Sequence, residues 1–562
     1  MHSKTMAQAS GVTRRTFLGT TIAGSVALLG GALPSSWPRA AEAAESPWIE
    51  RNIAELRTMM AAGQLSSRDL TLGYLRRIRD LNGLLDAVIE TNPEAVAIAT
   101  QRDVERAHGF VRGPLHGIPI LVKDNVATDD QMDTTAGSLA LVGSRVPGDS
   151  VIVQRLRTAG AVILGKANLS EWANFRGFAP GDFNGWSARG GKTRDPYLLS
   201  FDPCGSSSGS AVAAAANLCA AAVGTETDGS IVCPSTNNLA FGLKPTLGLL
   251  SQEGIIPIAH SQDTAGPIAR TVTDLAILLG AMQSPFGSVS GRTLPADYTA
   301  FLDPNSLSGK TIGVDERFLT ADYGADPALV AVFNRGLDAL AVLGANVVPC
   351  DTGDIFAYSG DEFTVLLMEF KVQVAEYLGG LSHTSMRTLS DLIAFNQAHC
   401  AQEMPYYGQE LFEIANSTSG DLSGPDYLAA RANCLLLSRA QGIDRVLDSG
   451  IDAIVAPSYT FASQPPAVAG YPNLAMPVGF TTDGRPGGLW MYAGFLQEPK
   501  LLAFAYALEQ YLQPRTQPHF TGTLQPFPPD PGICEALSTA AAGNGVRSVP
   551  MHLGTSRRMW KG

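Results

Sequence analysis

From about Pro47 onward, stretches with apolar residues at helical spacing alternate with short, continuous apolar runs. The stretch "IAELRTMMAAGQLSSRDLTLGYLRRIRDL" has helical periodicity, with Ser67 as the predicted N-cap, and "GIPILVKDN" is a short apolar run bounded by turn residues. The order of helix and then strand recurs in "SVIVQRLRTAG" and "AVILGK", and again in "ALVAVFNRGLDALAVLGANVVPCD". This alternation predicts an α/β fold with a sheet covered by helices on both faces.

Two segments after Pro47 depart from this alternation. Residues Glu362 to Arg445 carry mostly helical periodicity, which predicts a helical layer over the sheet. From Ser538 onward periodicity is lost, and we expect residues 538–562 to form a loosely ordered tail. The main domain is therefore expected to span residues 44–537.

The N-terminal segment, residues 1–43, has the pattern of an export signal. Paired Arg14 and Arg15 precede a weakly hydrophobic run, and an A-x-A site ends at Ala43. This pattern resembles a twin-arginine signal and predicts a periplasmic or secreted protein. A membrane anchor is the alternative, but the run from Thr20 to Leu33 is shorter than the roughly 20 residues that span a bilayer. No stable membrane anchoring is expected after cleavage.

Composition excludes several classes of function. The chain has 562 residues, 40 basic against 52 acidic, which gives a net charge of −12 without any basic cluster in its body. We therefore do not expect the protein to bind nucleic acid. The seven cysteines are scattered and lack C-x-x-C spacing, so we expect neither a zinc site nor a dense disulfide framework, and most cysteines to be small buried hydrophobic residues.

The stretch "CGSSSGSAVAAAANLCAAAVGTETDGSIVCP" contains five candidate serine nucleophiles. Gly205, Ser207 and Gly209 fit the G-x-S-x-G pattern of an α/β-hydrolase nucleophile elbow, which also requires an acid and a histidine further along. The histidines that follow stand in no recognisable local context. The Ala-rich run after the turn predicts a helix buried on every side, leading to a second turn at "TETDGS" that an elbow does not require.

A second reading uses a base that is not histidine. Lys123 ends the apolar run "GIPILVK", where burial disfavours the ammonium form and lowers its pKa toward that of a useful base. A salt bridge between Lys123 and Asp124 is the structural alternative. In this reading the turn around Ser206 and the turn around Ser230 are two halves of one site, and Ser230 attacks.

These motifs together resemble the amidase signature family. "LHGIPILVKDN", "GSSSGSAVAAAAN", "GTETDGSIVCP", "FGLKPTLG" and "SQDTAGPIART" occur in the family's order and spacing, from about Ile49 to Leu512. The resemblance implies a single large mixed β-sheet covered by helices on both faces. It also implies a Ser-Ser-Lys triad in which Lys123 is the base, Ser206 the bridging serine after a cis peptide bond from Gly205, and Ser230 the nucleophile.

The resemblance further implies an oxyanion hole formed by the backbone N–H groups of Thr227, Asp228, Gly229 and Ser230, and a reaction without metal or cofactor. This chain has Glu226 and Asp228 where many members have aspartate and glycine. These changes resemble exported bacterial peptide amidases, which implies hydrolysis of C-terminal peptide amides to acid and ammonia through an acyl-enzyme. Ser207 and Ser208 are then expected to serve as turn residues.

Four alternatives stay open for the function, and one of them is an α/β-hydrolase esterase that uses Ser207. An aryl or aliphatic acylamidase of the same family would act on a smaller amide. A glutamine-dependent amidotransferase subunit shares the motifs but works in the cytosol with partner chains, which the export signal opposes. A catalytically silent binding protein on the same scaffold is the non-enzyme alternative, although such a protein usually lacks the lysine or one of the serines, and all three are present here.

Overall fold

The computed structural model describes residues 46–181, 183–283, 288–524 and 526–535. The described residues from Trp48 onward form one compact unit. The predicted signal at 1–43 and the predicted tail at 538–562 lie outside the described residues, and both stay predictions. Within the described ranges, no helix is both long enough and apolar enough to cross a membrane.

The described residues contain fifteen β-strands, most of them short. They are β1 (Val88–Thr91), β2 (Pro119–Lys123), β3 (Val162–Ala167), β4 (Trp186–Ser187), β5 (Gly191–Lys192), β6 (Ala221–Glu226), β7 (Phe241–Lys244), β8 (Thr264–Ala269), β9 (Ser288–Val289), β10 (Arg292–Thr293), β11 (Thr311–Asp315), β12 (Asn346–Cys350), β13 (Ala453–Pro457), β14 (Asn473–Phe480) and β15 (Pro486–Tyr492).

Sixteen α-helices lie between and beside these strands in the described part of the chain. They are α1 (Ile53–Ala61), α2 (Ser67–Leu85), α3 (Ala95–Ala107), α4 (Val151–Thr158), α5 (Ser208–Ala215), α6 (Val232–Asn237), α7 (Val272–Met282), α8 (Pro327–Val342), α9 (Ser359–Gly379), α10 (Leu389–Ala398), α11 (Cys400–Glu403), α12 (Glu410–Ser417), α13 (Pro425–Leu435), α14 (Asp444–Asp448), α15 (Gln464–Ala469) and α16 (Glu498–Leu512).

Eleven of the described strands form one mixed sheet, in the order β1-β3-β2-β6-β8-β7-β14-β15-β13-β11-β12. Strand β2 pairs in parallel with β3 and β6, whereas β6 pairs antiparallel with β8. Every residue of β2 and β6 is buried, as expected for strands covered on both faces. The predicted α/β fold with one large mixed sheet is confirmed, and the predicted helical layer from Glu362 to Arg445 contains most of α9 and all of α10–α13.

The order of the strands places three chain segments at one edge of the sheet. Because β2 and β6 are parallel neighbours, the carboxyl ends of both strands, Lys123 and Glu226, lie at the same edge. Helix α5 precedes β6 and runs back along the sheet, so its first residues also lie at this edge. Every residue of α5 is buried, as the Ala-rich pattern predicts. The sheet therefore gathers Lys123, Ser206 and Ser230 from three separate segments.

One expectation about local structure is wrong, and one feature was not predicted. The side chain that caps α2 belongs to Ser66, which accepts from the amide of Asp69, whereas the hydroxyl of Ser67 donates to the carbonyl of Gly117. Most of the cysteines are buried, as expected, and four of the seven form two disulfides, Cys204–Cys233 and Cys400–Cys534, which the sequence did not predict. The partners are 29 and 134 residues apart, and no short spacing motif reveals such pairs.

Candidate active site

Lys123 is fully buried and points toward the turn that precedes α5. Its Nζ lies 2.7 Å from Oγ of Ser206, 3.0 Å from Oγ1 of Thr225 and 3.2 Å from the Thr225 carbonyl oxygen. The neighbouring Asp124 is engaged elsewhere and accepts from the Thr135 hydroxyl and the Gly137 amide. Oδ1 of Asp124 also lies 3.5 Å from Nη1 of Arg189, and the salt bridge between Lys123 and Asp124 that the sequence left open is not formed.

Burial lowers the pKa of Lys123 to about 7, because the ammonium form loses its hydration inside the protein. The negative charges of Asp263 and Glu226 act in the opposite direction and limit the shift. A substantial fraction of Lys123 is therefore a neutral amine near pH 7. Such an amine accepts a proton, which an exposed lysine cannot do at that pH.

Ser206 and Ser230 lie on two turns that contact each other. The peptide bond between Gly205 and Ser206 is cis, as the resemblance implies. The backbone carbonyl of Ser230 accepts from the amide of Ser207 at 3.1 Å, which joins the two turns. Within the described residues no hydrogen bond links the hydroxyls of Ser206 and Ser230. Ser206 is fully buried, whereas Ser230 is slightly exposed and borders a cavity.

The other serines of the first turn bind the backbone. The hydroxyl of Ser207 donates to the Thr225 carbonyl at 3.0 Å, and that of Ser208 donates to the Cys204 carbonyl at 2.5 Å. Both side chains are fully buried. These contacts match the expected role of Ser207 and Ser208 as turn residues and disfavour Ser207 as an elbow nucleophile.

The turn Thr227–Ser230 borders the cavity along its whole length. The Thr227 hydroxyl donates to Asp263 at 2.6 Å, which fixes one side of the turn. Gly229 has φ of +76°, a conformation that favours glycine, and a Cβ there would lie 3.2 Å from Oγ of Ser463. The hydrogen bond to Asp263 and the glycine at position 229 thus both favour this conformation of the turn.

Two acidic residues that distinguish this turn from the common family pattern have buried carboxylate oxygens, although Asp228 as a whole is half-buried. The Glu226 carboxylate accepts from the amides of Ile231 and Val232, at 2.6 and 2.9 Å, and so caps the start of the segment after Ser230. Burial raises the pKa of Asp228 to about 7, and the charge of Glu226 acts in the same direction. Asp228 is therefore protonated in much of the population at neutral pH, which limits negative charge beside the turn.

The cavity in front of Ser230 has a volume of about 310 Å³. Its lining includes the loop from Ala173 to Gly181 and Phe183, and also Tyr459, Ser463 and Trp490. Much of the lining is aromatic or aliphatic, and the polar turn Thr227–Ser230 is also part of it. A space of this size and character is typical of a site for a small organic ligand.

The sequence analysis did not identify several of these residues as parts of the site. Thr225 and Asp263 stand within the quoted motifs "GTETDGS" and "SQDTAGPIART", so the motifs themselves carry that signal. Phe183, Tyr459 and Trp490 come from distant segments without a local motif. Among the described residues, no group of three or more histidine, cysteine or acidic side chains is arranged to hold a metal ion.

Comparison with known proteins identifies the family of the chain. A family model described as Amidase matches residues 69–502. A native peptide amidase from Stenotrophomonas maltophilia is 47% identical with a TM-score of 0.78, covering 84% of this chain and 99% of that chain. A peptide amidase in complex with the competitive inhibitor chymostatin has the same identity and TM-score, covering 84% of this chain and all of that one.

A curated protein of Arabidopsis thaliana, described as a probable amidase, is 40% identical over 485 residues, which cover 84% of this chain and 92% of the relative. The family model spans well over half of the chain, and these relatives match it along most of their own length. The chain therefore belongs to the amidase family, and it is a hydrolase that acts on the C–N bonds of linear amides.

Proposed function

We propose that this protein is a serine amidase that removes ammonia from the C-terminal carboxamide of peptides. In this proposal Ser230 is the nucleophile, Ser206 the bridging serine and Lys123 the base. The observation that carries the proposal is the contact between a buried Lys123, whose pKa is about 7, and the Ser206 hydroxyl, beside the turn that bears Ser230. No histidine is needed to accept the proton of the nucleophile.

The proposed reaction begins when Ser230 Oγ attacks the carbonyl carbon of the amide. The Ser230 proton passes to Ser206, whose own proton passes to the neutral amine of Lys123. The same path then returns a proton to the leaving nitrogen, so that ammonia departs and an acyl-enzyme forms. Water attacks the ester in the same way and releases the acid. Catalytic hydrogen bonds are often long in the absence of substrate and shorten in the complex. This accounts for the lack of a hydrogen bond between the hydroxyls of Ser206 and Ser230 in the free protein.

The oxyanion that forms on the substrate needs donors close to Ser230. The backbone N–H groups of Thr227, Asp228, Gly229 and Ser230 are the proposed donors, because this turn borders the cavity and is fixed by Asp263. Removal of one such donor typically costs about 10²–10³ in rate. A protonated Asp228 supports this role, since a full negative charge beside the turn would oppose the oxyanion.

The proposed substrate class is supported by the cavity and by the relatives. A largely apolar space of about 310 Å³ accommodates the last residues of a peptide, and two similar solved structures are peptide amidases. Selectivity for a primary amide would come from exclusion, because a pocket closed beyond the –NH₂ group rejects a further residue. An aryl or aliphatic acylamidase is the alternative within the family.

A substrate panel tests this proposal. An amidated dipeptide, the same peptide as a free acid, a short aliphatic amide and an anilide are compared by kcat/KM. We expect the amidated dipeptide to be preferred by at least about tenfold, which corresponds to about 1.4 kcal/mol of transition-state free energy. The free acid should release no amino acid from its internal bond. A smaller preference would leave an amidase without the peptide specificity.

We also propose that the protein is exported through its twin-arginine segment. The proposal is supported by the Arg14–Arg15 pair and the A-x-A site at Ala41–Ala43. In the native host the mature N-terminus should lie near Ala44, and Arg14→Lys/Arg15→Lys should keep the protein in the cytoplasm. A cytoplasmic protein with an intact N-terminus would contradict export without affecting the proposed activity.

A further inference from the structure

The Cys204–Cys233 disulfide lies between the two turns of the site. Cys204 stands two residues before Ser206, and Cys233 stands three residues after Ser230, in the first turn of α6. The bond therefore joins the segment that carries the bridging serine to the segment that carries the nucleophile. Both segments also meet through the backbone hydrogen bond from Ser207 to Ser230, and the side-chain amides of Asn237 and Asn238 donate to the carbonyls of Asp202 and Pro203.

The backbone at Cys204 is held in an uncommon conformation. Its φ is +54°, in the left-handed region that residues other than glycine seldom adopt. Its amide donates to Asp202 at 2.7 Å and its carbonyl accepts from Ser208. Such a conformation persists where the surroundings enforce it, and only Gly205 separates Cys204 from Ser206.

The disulfide also borders the substrate cavity. Cys204 is fully buried, whereas Cys233 is slightly exposed and lines the cavity beside Ser230. Both cysteines belong to one apolar cluster with Trp490 and Tyr459, which also line the cavity. A change in the separation of the two cysteines would thus act on the turns and on the cavity wall together.

We propose that the Cys204–Cys233 disulfide positions Ser206 and Ser230 relative to each other, so that turnover depends on the oxidised state of this pair. The inference rests on the proposed triad. A misplacement of about 1 Å in a catalytic group can cost about 10²-fold in rate, and the covalent bond limits such displacement. Cysteines are kept reduced in the cytosol, so the enzyme would stay slow until it reaches an oxidising compartment.

The chemical step is thiol–disulfide exchange with a small dithiol. A thiolate of the dithiol attacks one sulfur of the pair and forms a mixed disulfide, and its second thiol then closes a cyclic disulfide. The dithiol gives up two electrons and two protons, and Cys204 and Cys233 each become a thiol. Re-oxidation by oxidised glutathione reverses the exchange and yields two molecules of glutathione.

The test compares the oxidised protein with a dithiol form made in a reducing cytoplasm and kept under reductant. Alkylation and mass spectrometry assign the state of each cysteine, and near-ultraviolet circular dichroism reports the fold. We expect kcat for an amidated dipeptide to fall at least about tenfold in the dithiol form while KM changes less than about twofold, since the bond acts on the reacting groups. Re-oxidation should restore kcat.

The second disulfide provides a matched control. Cys400→Ser/Cys534→Ser leaves only the Cys204–Cys233 pair and should show the same loss and recovery, whereas Cys204→Ser/Cys233→Ser should be slow and indifferent to reductant. A bond that serves stability alone would lower the melting temperature and leave kcat unchanged below it.

Three results would overturn the proposal: an unchanged kcat in the dithiol form, a loss that persists after re-oxidation, or a dithiol form that fails to fold. In the last case the bond would act on folding instead of on the turns. An oxidised protein that ignores peptide amides but cleaves another amide refutes only the proposed substrate, and the same comparison is then made with that amide.

Discussion

The side-chain oxygen of Ser207 makes two hydrogen bonds to the backbone of Thr225, donating to its carbonyl at 3.0 Å and accepting from its amide at 3.2 Å. These bonds tie the start of α5 to the end of β6 and use the hydroxyl within the protein interior. The neighbouring serine at 206 instead accepts from Lys123. The hydroxyl of Ser207 thus bonds to the backbone, whereas the adjacent hydroxyl of Ser206 lies beside Lys123.

This difference predicts that alanine lowers activity greatly at Ser206 and Ser230 and only slightly at Ser207. Ser230→Ala should lower kcat/KM by about four to six orders of magnitude, with Ser206→Ala nearly as severe. Ser207→Ala should keep kcat/KM within about tenfold while lowering the free energy of unfolding by about 1–3 kcal/mol, because the Thr225 backbone loses a buried partner. Amide hydrolysis and chemical denaturation measure the two effects. An inactive Ser207→Ala beside an active Ser230→Ala would restore the elbow reading.

The pH dependence of kcat/KM should report the protonation of Lys123. Its pKa is lowered to about 7 by burial, so the amine is neutral above this pH and accepts a proton, and it is charged and inactive below it. We expect log kcat/KM to rise with a slope of about one between about pH 5 and 7 and then to level off. A flat profile, or a limb centred above about pH 9, would contradict Lys123 as the base.

A matched variant tests the assignment of that limb. Oγ1 of Thr225 lies 3.0 Å from Nζ of Lys123 and stabilises the ammonium form as an acceptor. Thr225→Val removes this oxygen without changing the shape of the side chain. The pKa of Lys123 should fall further and the acidic limb should move to lower pH, by less than about one unit. A shift to higher pH would assign the limb to another group.

A buried ion pair should stabilise the loop that walls the cavity. Arg176 and Glu171 are both fully buried, with 2.5 Å between Nη1 and Oε1, and Arg176 also donates to the carbonyls of Tyr407 and Gly408. Arg176→Met leaves the Glu171 carboxylate without its partner and should lower the free energy of unfolding by about 3–5 kcal/mol.

The exposed pair of Arg79 and Asp80 offers the control for this measurement. Arg79→Met should change the free energy of unfolding by less than about 1 kcal/mol, because exposed ion pairs are weakened by solvent. Denaturant titrations of both variants compare the two sites under one condition. Equal effects at the buried and exposed arginines would refute a stabilising role for the Arg176–Glu171 pair.

Local patterns predicted the elements that carry the catalytic candidates. The run "PILVK" is continuous in apolar residues and forms β2, and the Ala-rich run after Ser207 forms the fully buried α5. These predictions hold because an element that is buried on both faces consists almost entirely of apolar residues, which is visible in the sequence. The N-cap of α2 was misplaced by one residue because Ser66 and Ser67 are chemically identical, and only the backbone geometry decides between them.

Contacts between distant segments could not be predicted in the same way. The Cys204–Cys233 pair spans a helix and a strand, and the cavity is lined by Phe183, Tyr459 and Trp490 from separate parts of the chain. Their proximity depends on the order of the strands in the sheet, which places β6 beside β2 and brings β15 next to β13 and β14. The spacing of apolar residues in a single sequence does not reveal the order of the strands.

The full burial of Lys123 behind Ser206 has a chemical consequence for the proposed acyl-enzyme. A neutral amine is a stronger nucleophile than a serine hydroxyl, and an amine that reached the acyl group would form an amide in place of the ester. Such an adduct would be a dead end, since the enzyme would have to cleave a bond to its own base. Ser230 borders the cavity while Lys123 has no exposed surface, so in the proposed mechanism the lysine would exchange protons through Ser206 and would be kept from the acyl carbon. The intervening serine would thus protect the catalyst from acylation by its own intermediate.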